Sequence, residues 1–442
     1  MQLSPAEIDP PCTVSQVTAA LQPLISQPSS PAAPFTTSRL HLPTTTPSAA
    51  SRRCARAAFD AFACSLPRYS GAHIPVSDWL FGAVPATMGK FVGYWSLALY
   101  LTSSSAGSAQ RYALPPNVLD DWLWRPPADS TCSASNNAAW LLADVCATSN
   151  GVPPSTRVPS VASLERSYAW QQMRLGARGN SNSTSAGHSR WWNAASAGGS
   201  TEAGLWFAAQ QLRRVRSSLG PCAREAVAAL RQEGRKPRTM ASTNYDGTMR
   251  PLAIALHIRR GDACERWGLP GDTETAPRPC FATKHYVDSA RRLLAHIKAT
   301  RGISSGSAPP TILLVASDSA SAVLELSDAA PEMEVRHVVT PRGEAWGGAA
   351  EGAASSVSRE EAKRRFFIEE RNAKGLVDKK LVFASLFADL DLLAGADAFV
   401  GTAASWISRL SLLAIAGEQG TLPPYELLDG PLGSFWTMQV KK

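Results

Sequence analysis

The feature that most constrains the fold is a short apolar run, residues 252–256, that ends directly in polar and charged side chains. It reads LAIAL after Pro251 and continues as HIRRGD. An apolar run of this length between turn signals is typical of a strand buried on both faces of a parallel sheet. Ligands of such sheets lie beyond the carboxyl ends of the strands, so Arg259 and Arg260 are candidate binding residues. Adjacent arginines favour an anion such as phosphate, and a basic turn that only meets water is the alternative.

Helical and strand patterns alternate through the rest of the carboxy-terminal half. They predict strands at 311–316, 335–339 and 398–400, and helices at 283–299, 319–326, 360–371, 379–393 and 406–416. This alternation indicates a parallel, doubly wound α/β sheet. Asp318 follows one strand, and Ser405 follows another at the position of a helix N-cap. Each is therefore a candidate ligand residue, with simple capping of the next helix as the alternative.

Composition divides the chain into three regions. Residues 1–50 are rich in Ser, Thr and Pro, which predicts a disordered lead. Residues 51–250 predict an α/β lobe that carries a low-complexity insert at 176–200, and residues 251–436 predict a Rossmann-like lobe. The length of 442 residues fits about two to three domains.

Charge and cysteine usage limit the partners. The net charge of +8 is spread without a long basic run, which disfavours nucleic acid and leaves phosphorylated ligands or anionic surfaces. The eight cysteines lack C-x-x-C spacing, so thiols and disulfides are both open. A bridge from Cys264 to Cys280 would close the loop after the arginines and would require an oxidising compartment. No stretch is long and apolar enough to predict a membrane span, and no signal peptide is recognisable at the first residues.

Asp389 and Asp391 formally match the D-x-D motif of metal-using nucleotide-sugar enzymes. They fall within the helix expected at 379–393, where residues two apart point about 200° away from each other. Both carboxylates cannot hold one ion in that geometry. We therefore predict no metal site at this pair.

Three segments together resemble the α1,6-fucosyltransferase family and its relatives among GDP-fucose-using enzymes. They are HIRRGD at 257–262, VASD at 315–318 and DLDLLAGADAFVGTAASWISR at 389–409, and they follow the order and spacing of that family's three motifs. The last segment is the most specific match to the family. The resemblance implies a two-lobed GT-B-like fold, no divalent metal, no cofactor, and inversion at the anomeric carbon of fucose.

The same resemblance implies a set of donor-binding residues. Arg259 would hold the β-phosphate of GDP and act in catalysis, and Ser405 would donate to the diphosphate. His257 and Asp389 would contact the nucleoside, and Asp389 would do so at guanine. The full set matching the family's motifs is His257, Arg259, Arg260, Asp318, Asp389 and Ser405.

The position of the general base departs from the family pattern. An inverting transfer needs a base for the acceptor hydroxyl. Trp267 stands where the family has its base, and Ala263 stands where the family has a lysine. Glu265 is the nearest carboxylate, and Asp272 or Glu274 takes the role if the loop carries an insertion. The base therefore stays open among these three carboxylates.

The implied function is transfer of fucose from GDP-fucose to a glycan or glycoprotein acceptor, most specifically α1,6-fucosylation of an N-glycan core in the Golgi lumen. A protein O-fucosyltransferase shares the donor half and differs in the acceptor lobe. The missing base position motivates a third reading, an inactive relative that binds sugar nucleotides or glycans.

Overall fold

The computed structural model has a six-stranded sheet as its centre. The structure describes residues 12–25, 40–43, 48–65, 74–75, 112–113, six positions between 206 and 216, and residues 221–234, 251–260, 280–303, 309–338, 379–403 and 405–430.

The described elements comprise seven helices, eight strands and six further helical positions between 206 and 216. The helices are α1 (Val14–Ile25), α2 (Ala49–Ser65), α3 (Pro221–Gly234), α4 (Thr283–Thr300), α5 (Ala320–Ala329), α6 (Lys379–Leu393) and α7 (Trp406–Gln419). The strands are β1 (Leu40–His41), β2 (Ile74–Pro75), β3 (Tyr112–Ala113), β4 (Leu252–Ile258), β5 (Thr311–Ser317), β6 (Glu334–His337), β7 (Ala398–Gly401) and β8 (Tyr425–Leu427). β2 and β3 form a separate parallel pair.

The large sheet has the strand order β1-β8-β7-β4-β5-β6. All neighbouring strands in it are parallel except β1, which is antiparallel to β8. Read from β6, the five parallel strands follow the chain order third, second, first, fourth, fifth, which is the order of a doubly wound sheet. The α/β, mainly parallel architecture predicted for this half is confirmed. The order reverses between β4 and β7.

The two faces of β4 pack against different helices. Leu252, Ile254, Leu256 and Ile258 belong to one apolar cluster with α4 and α5. The alternate residues, including His257, face the layer of α6 and α7, because successive side chains of a strand point to opposite faces. All seven residues of β4 are buried, which explains the unbroken apolar run in the sequence.

The end of α7 differs from the prediction. The sequence placed it at residue 416 because Gly417 follows, whereas the helix continues to Gln419 and ends at Gly420 in the left-handed conformation, with φ 75°. Gly417 has a packing role instead. A Cβ atom there would lie 2.7 Å from the carbonyl oxygen of Ala209, so only glycine lets the backbone at Ala209 approach α7 this closely.

The prediction of a disordered lead over residues 1–50 is wrong for two segments. α1 is a helix whose flanking Cys12 forms a disulfide with Cys54 of α2. β1 extends the sheet at its β8 edge, where the ring of His41 stacks on Tyr425 at 5.1 Å. Burial lowers the pKa of His41 to about 4, so this edge carries a neutral imidazole at pH 7.

Elements before residue 251 pack directly on the carboxy-terminal half. The indole N–H of Trp206 donates to the carbonyl of Gly420 at 2.7 Å, and Phe59 of α2 contacts the Trp206 ring edge-on. Arg216 donates to Asp391 of α6. These contacts cover the α6–α7 layer from outside, across the boundary expected at 250. The insert at 176–200 lies outside the described residues.

Candidate functional site

The site predicted from the sequence lies where the strand order reverses. β4 and β7 pair in parallel with Leu256 opposite Val400, so the residues that follow them leave the sheet side by side. Arg259 follows β4, and Ser405 follows β7. Doubly wound sheets bind their ligands in this crevice, because the connections diverge there and leave a cleft at the carboxyl ends.

His257 joins the end of β4 to the first turns of α7. Its Nδ1 lies 2.7 Å from the hydroxyl of Ser408, which also accepts a hydrogen bond from the backbone N–H of Thr402 at 3.1 Å. The His257 side chain is only 4% exposed. The Ser408 hydroxyl therefore fixes the imidazole and the loop after β7 in one arrangement.

Ser405 provides a buried hydroxyl at the start of α7. It is the N-cap residue, in an extended conformation, but its side chain makes no capping hydrogen bond. The residue is 1% exposed, and its Oγ has no hydrogen-bond partner among the described residues. An unsatisfied buried polar atom costs about 1–3 kcal/mol. Together with the first amides of the helix, which have no intrahelical partners, this hydroxyl is suited to an anion.

Arg260 is held by protein groups rather than presented to the crevice. Its backbone N–H donates to Oδ1 of Asp318 at 2.8 Å. Its guanidinium forms a bidentate pair with Glu325, 2.6 Å for one of the two bonds, and also donates to the Thr283 hydroxyl. The hydrogen bond from Arg260 lowers the pKa of Glu325. Asp318 and Arg260 thus shape the loop after β4.

Arg259 belongs to the other side of the same loop. The contacts of Arg260 with α4 and α5 place that side chain on their face of the sheet. Continuing the alternation of β4 by one residue beyond Ile258 would assign Arg259 to the face of His257 and α7. Arg259 is half-buried. We infer that its guanidinium, unlike that of Arg260, borders the crevice near the start of α7.

The two carboxylates of the D-x-D sequence have separate environments. Both lie in α6, whose observed bounds match the prediction. Asp389 is buried, and α6 packs against β5 and α7 on the face that His257 shares. Asp391 instead accepts hydrogen bonds from Arg216 and lies 3.5 Å from Arg231. The helix on which the expected divergence of the two carboxylates depends is confirmed.

Comparison of the chain with models of protein families and with curated proteins found no match. Within the described ranges, no three His, Cys, Asp or Glu side chains form a group that could hold a metal ion. No described helix is long and apolar enough to cross a bilayer.

Several predicted residues fall outside the described part of the chain. These are the three candidate bases Glu265, Asp272 and Glu274, together with Cys264. Cys280 is disulfide-bonded, to a partner that the structure does not describe. The bridge from Cys264 to Cys280 and the identity of the base therefore stay predictions.

Sequence reasoning assigned no role to three residues that build the crevice. Ser408 and Arg409 lie one turn after Ser405, and this helical spacing was the available signal. Asp429 follows β8, and its Oδ1 accepts a hydrogen bond from the backbone N–H of Ala403. No local pattern marks Asp429, because its partner lies 26 residues earlier in the chain.

Proposed function

We propose that this chain is an inverting, metal-independent glycosyltransferase that moves fucose from GDP-fucose to a glycan acceptor. The donor site would be the crevice between β4 and β7. The observation that carries the proposal is the buried Ser405 hydroxyl, without a hydrogen-bond partner among the described residues, at the start of α7 in this crevice. The motif resemblance adds the sugar nucleotide and the GT-B-like arrangement to this proposal.

The chemistry of the crevice suits a diphosphate leaving group. Negative charge develops on GDP as the bond to fucose breaks, and fixed donors aimed at that charge stabilise the transition state. Arg259 would contribute a cation, and the amino end of α7 contributes roughly half a positive charge through its dipole. The hydroxyl of Ser405 would donate a hydrogen bond to a phosphate oxygen. This bond would give Ser405 Oγ the hydrogen-bond partner that it lacks among the described residues.

The nucleoside and the acceptor would occupy the two sides of this diphosphate. His257 and the buried Asp389 share the α6–α7 face, and a carboxylate such as Asp389 accepts hydrogen bonds from guanine N–H groups. The acceptor hydroxyl would be deprotonated by Glu265, Asp272 or Glu274. The Cys12–Cys54 disulfide supports an oxidising compartment, and we propose the Golgi lumen, with an N-glycan core as the acceptor and α1,6 as the linkage.

The proposal is tested by incubating the purified full chain with GDP-fucose and a truncated N-glycan acceptor, with and without EDTA. We expect fucosylated product and free GDP in equal amounts, at rates that agree within about twofold in the two conditions, because no step is assigned to a metal. UDP-galactose is the control donor and should give no product. A strict Mn²⁺ requirement would contradict the mechanism. Binding of GDP without turnover on glycan or protein acceptors would indicate the inactive relative.

The Ser405→Ala variant isolates the hydroxyl that carries the proposal. We expect GDP to bind about tenfold more weakly by isothermal titration, since a hydrogen bond to a charged group contributes about 1.5 kcal/mol. The thermal midpoint should not fall, because the hydroxyl has no partner among the described residues. Ser411→Ala is the matched control: its buried hydroxyl donates to the carbonyl of Ile407 within α7. Equal GDP affinities of the two variants would count against the site.

A further inference from the structure

The loop between β7 and α7 is held at Ala403 by two charged side chains. The backbone N–H of Ala403 donates to Oδ1 of Asp429, and its carbonyl accepts from Nε of Arg409 at 2.7 Å. Arg409 is in the first turns of α7 and is 5% exposed, and Asp429 lies just beyond β8. Both backbone polar groups of one residue are therefore bonded from opposite sides.

The residues before Ala403 are fixed in the same way. The carbonyl of Gly401 accepts from the N–H of Leu428 at 2.9 Å. The N–H of Thr402 donates to Ser408, and its carbonyl accepts from the N–H of Ser405 at 3.3 Å. Protein groups thus occupy these backbone positions. A ligand at this loop would be bound instead by Ser405 Oγ and by the first amides of α7.

The two side chains also balance each other electrostatically. Burial lowers the pKa of Arg409, and the negative charge of Asp429 acts in the opposite direction. Among the described residues, Tyr286 of α4 also interacts electrostatically with Asp429: its pKa is raised by burial first and by Asp429 second. A lone carboxylate near a helix amino end would repel an anionic ligand. The guanidinium of Arg409 compensates this repulsion.

We infer that Arg409 and Asp429 are positioning residues that hold the β7–α7 loop so that Ser405 and the amino end of α7 engage the diphosphate of the donor. This inference takes the identity of the ligand, a nucleoside diphosphate, from the proposed function. The hydrogen bonds that hold the loop do not themselves identify the ligand. Disturbing either side chain should weaken binding of the diphosphate and leave binding of the nucleoside unchanged.

The experiment measures the affinity of the full chain for GDP, inorganic pyrophosphate and guanosine, well below the thermal midpoint of each variant. Asp429→Ala removes the acceptor for Ala403, and we expect GDP and pyrophosphate to bind about tenfold more weakly while guanosine changes by less than twofold. Asp429→Asn retains an acceptor oxygen and should recover pyrophosphate affinity to within about threefold of the original chain. Arg409→Lys keeps the charge but loses the fixed Nε geometry, and should resemble Asp429→Ala.

The outcomes separate this inference from the proposed function. Unchanged pyrophosphate affinity in Asp429→Ala, or equal losses for guanosine and pyrophosphate, would overturn the inference alone. If Asp429→Ala does not fold, Asp429→Asn and Arg409→Lys decide by the same comparison. Binding of pyrophosphate but not GDP by the original chain would overturn the proposed function, while the pyrophosphate comparison still tests the inference. Binding of neither ligand would overturn both.

Discussion

The Arg259→Ala variant is expected to lose GDP-fucose turnover by at least about 100-fold while the protein stays folded. Removing one fixed donor aimed at developing negative charge costs about 10²–10³ in rate, and a full positive charge in a half-buried crevice should lie at the upper end. Arg259 follows β4 and is not one of the apolar residues of the cluster beneath it. Initial rates at saturating acceptor, together with circular dichroism melting, measure the two effects separately.

Two further variants test whether the loss of turnover in Arg259→Ala comes from removing this particular guanidinium. Arg259→Lys keeps the charge but not the planar fork, so we expect it to restore only part of the activity. Arg292→Ala is the matched control, because Arg292 is an exposed arginine of α4 that pairs with Glu426 away from the crevice. It should retain normal turnover. If Arg259→Ala instead binds GDP and turns over donor as the original chain does, Arg259 is not the group that stabilises the leaving diphosphate.

The parallel half of the fold was predictable because its signal is local. A strand buried on both faces must be apolar at every position, so 252–256 and 311–316 are visible without knowledge of their partners. α4 likewise shows its buried face in the spacing of Tyr286, Ala290 and Leu293. The location of the crevice followed from the same strands, since the rule that places ligands at carboxyl ends needs only the direction of the chain.

The features that sequence reasoning missed depend on distant partners. β1 has two residues, and it is a strand only because it pairs with β8. Asp429 gains a role only when β8 brings it beside Ala403. The sequence predicted that α7 ends before Gly417, because no local pattern shows that the backbone of Ala209 packs against α7 at this glycine. The residue type alone does not distinguish Arg259 from Arg260, whereas the structure shows that Arg260 is held by Glu325 and Thr283.

The second large effect is expected at the end of β7, where the Gly401→Ala variant should be less stable and should bind GDP poorly. Phe399 and Gly401 are two residues apart on one strand and share a face, and the fully buried Phe399 ring occupies the space above the glycine. A Cβ atom at Gly401 would lie 2.5 Å from Cζ of Phe399 and 2.9 Å from Oγ of Ser408. Overpacking of this kind costs typically about 1–3 kcal/mol of unfolding free energy.

The Gly401→Ala substitution would also displace the hydroxyl of Ser408, so its effect should extend beyond packing. Ser408 contacts both His257 and the N–H of Thr402, so moving it releases the loop that leads to Ser405. We therefore expect the GDP affinity of Gly401→Ala, measured by titration on protein that is still folded, to fall about tenfold or more. The free energy of unfolding, measured by a urea melt, should fall as well. Gly395→Ala is the control, since its nearest neighbour would be the carbonyl oxygen of Leu392 at 3.7 Å. That variant should match or slightly exceed the original stability, by up to about 1 kcal/mol, and bind GDP normally. Destabilisation of Gly401→Ala with intact GDP affinity would show that the Ser408 contacts do not control the crevice.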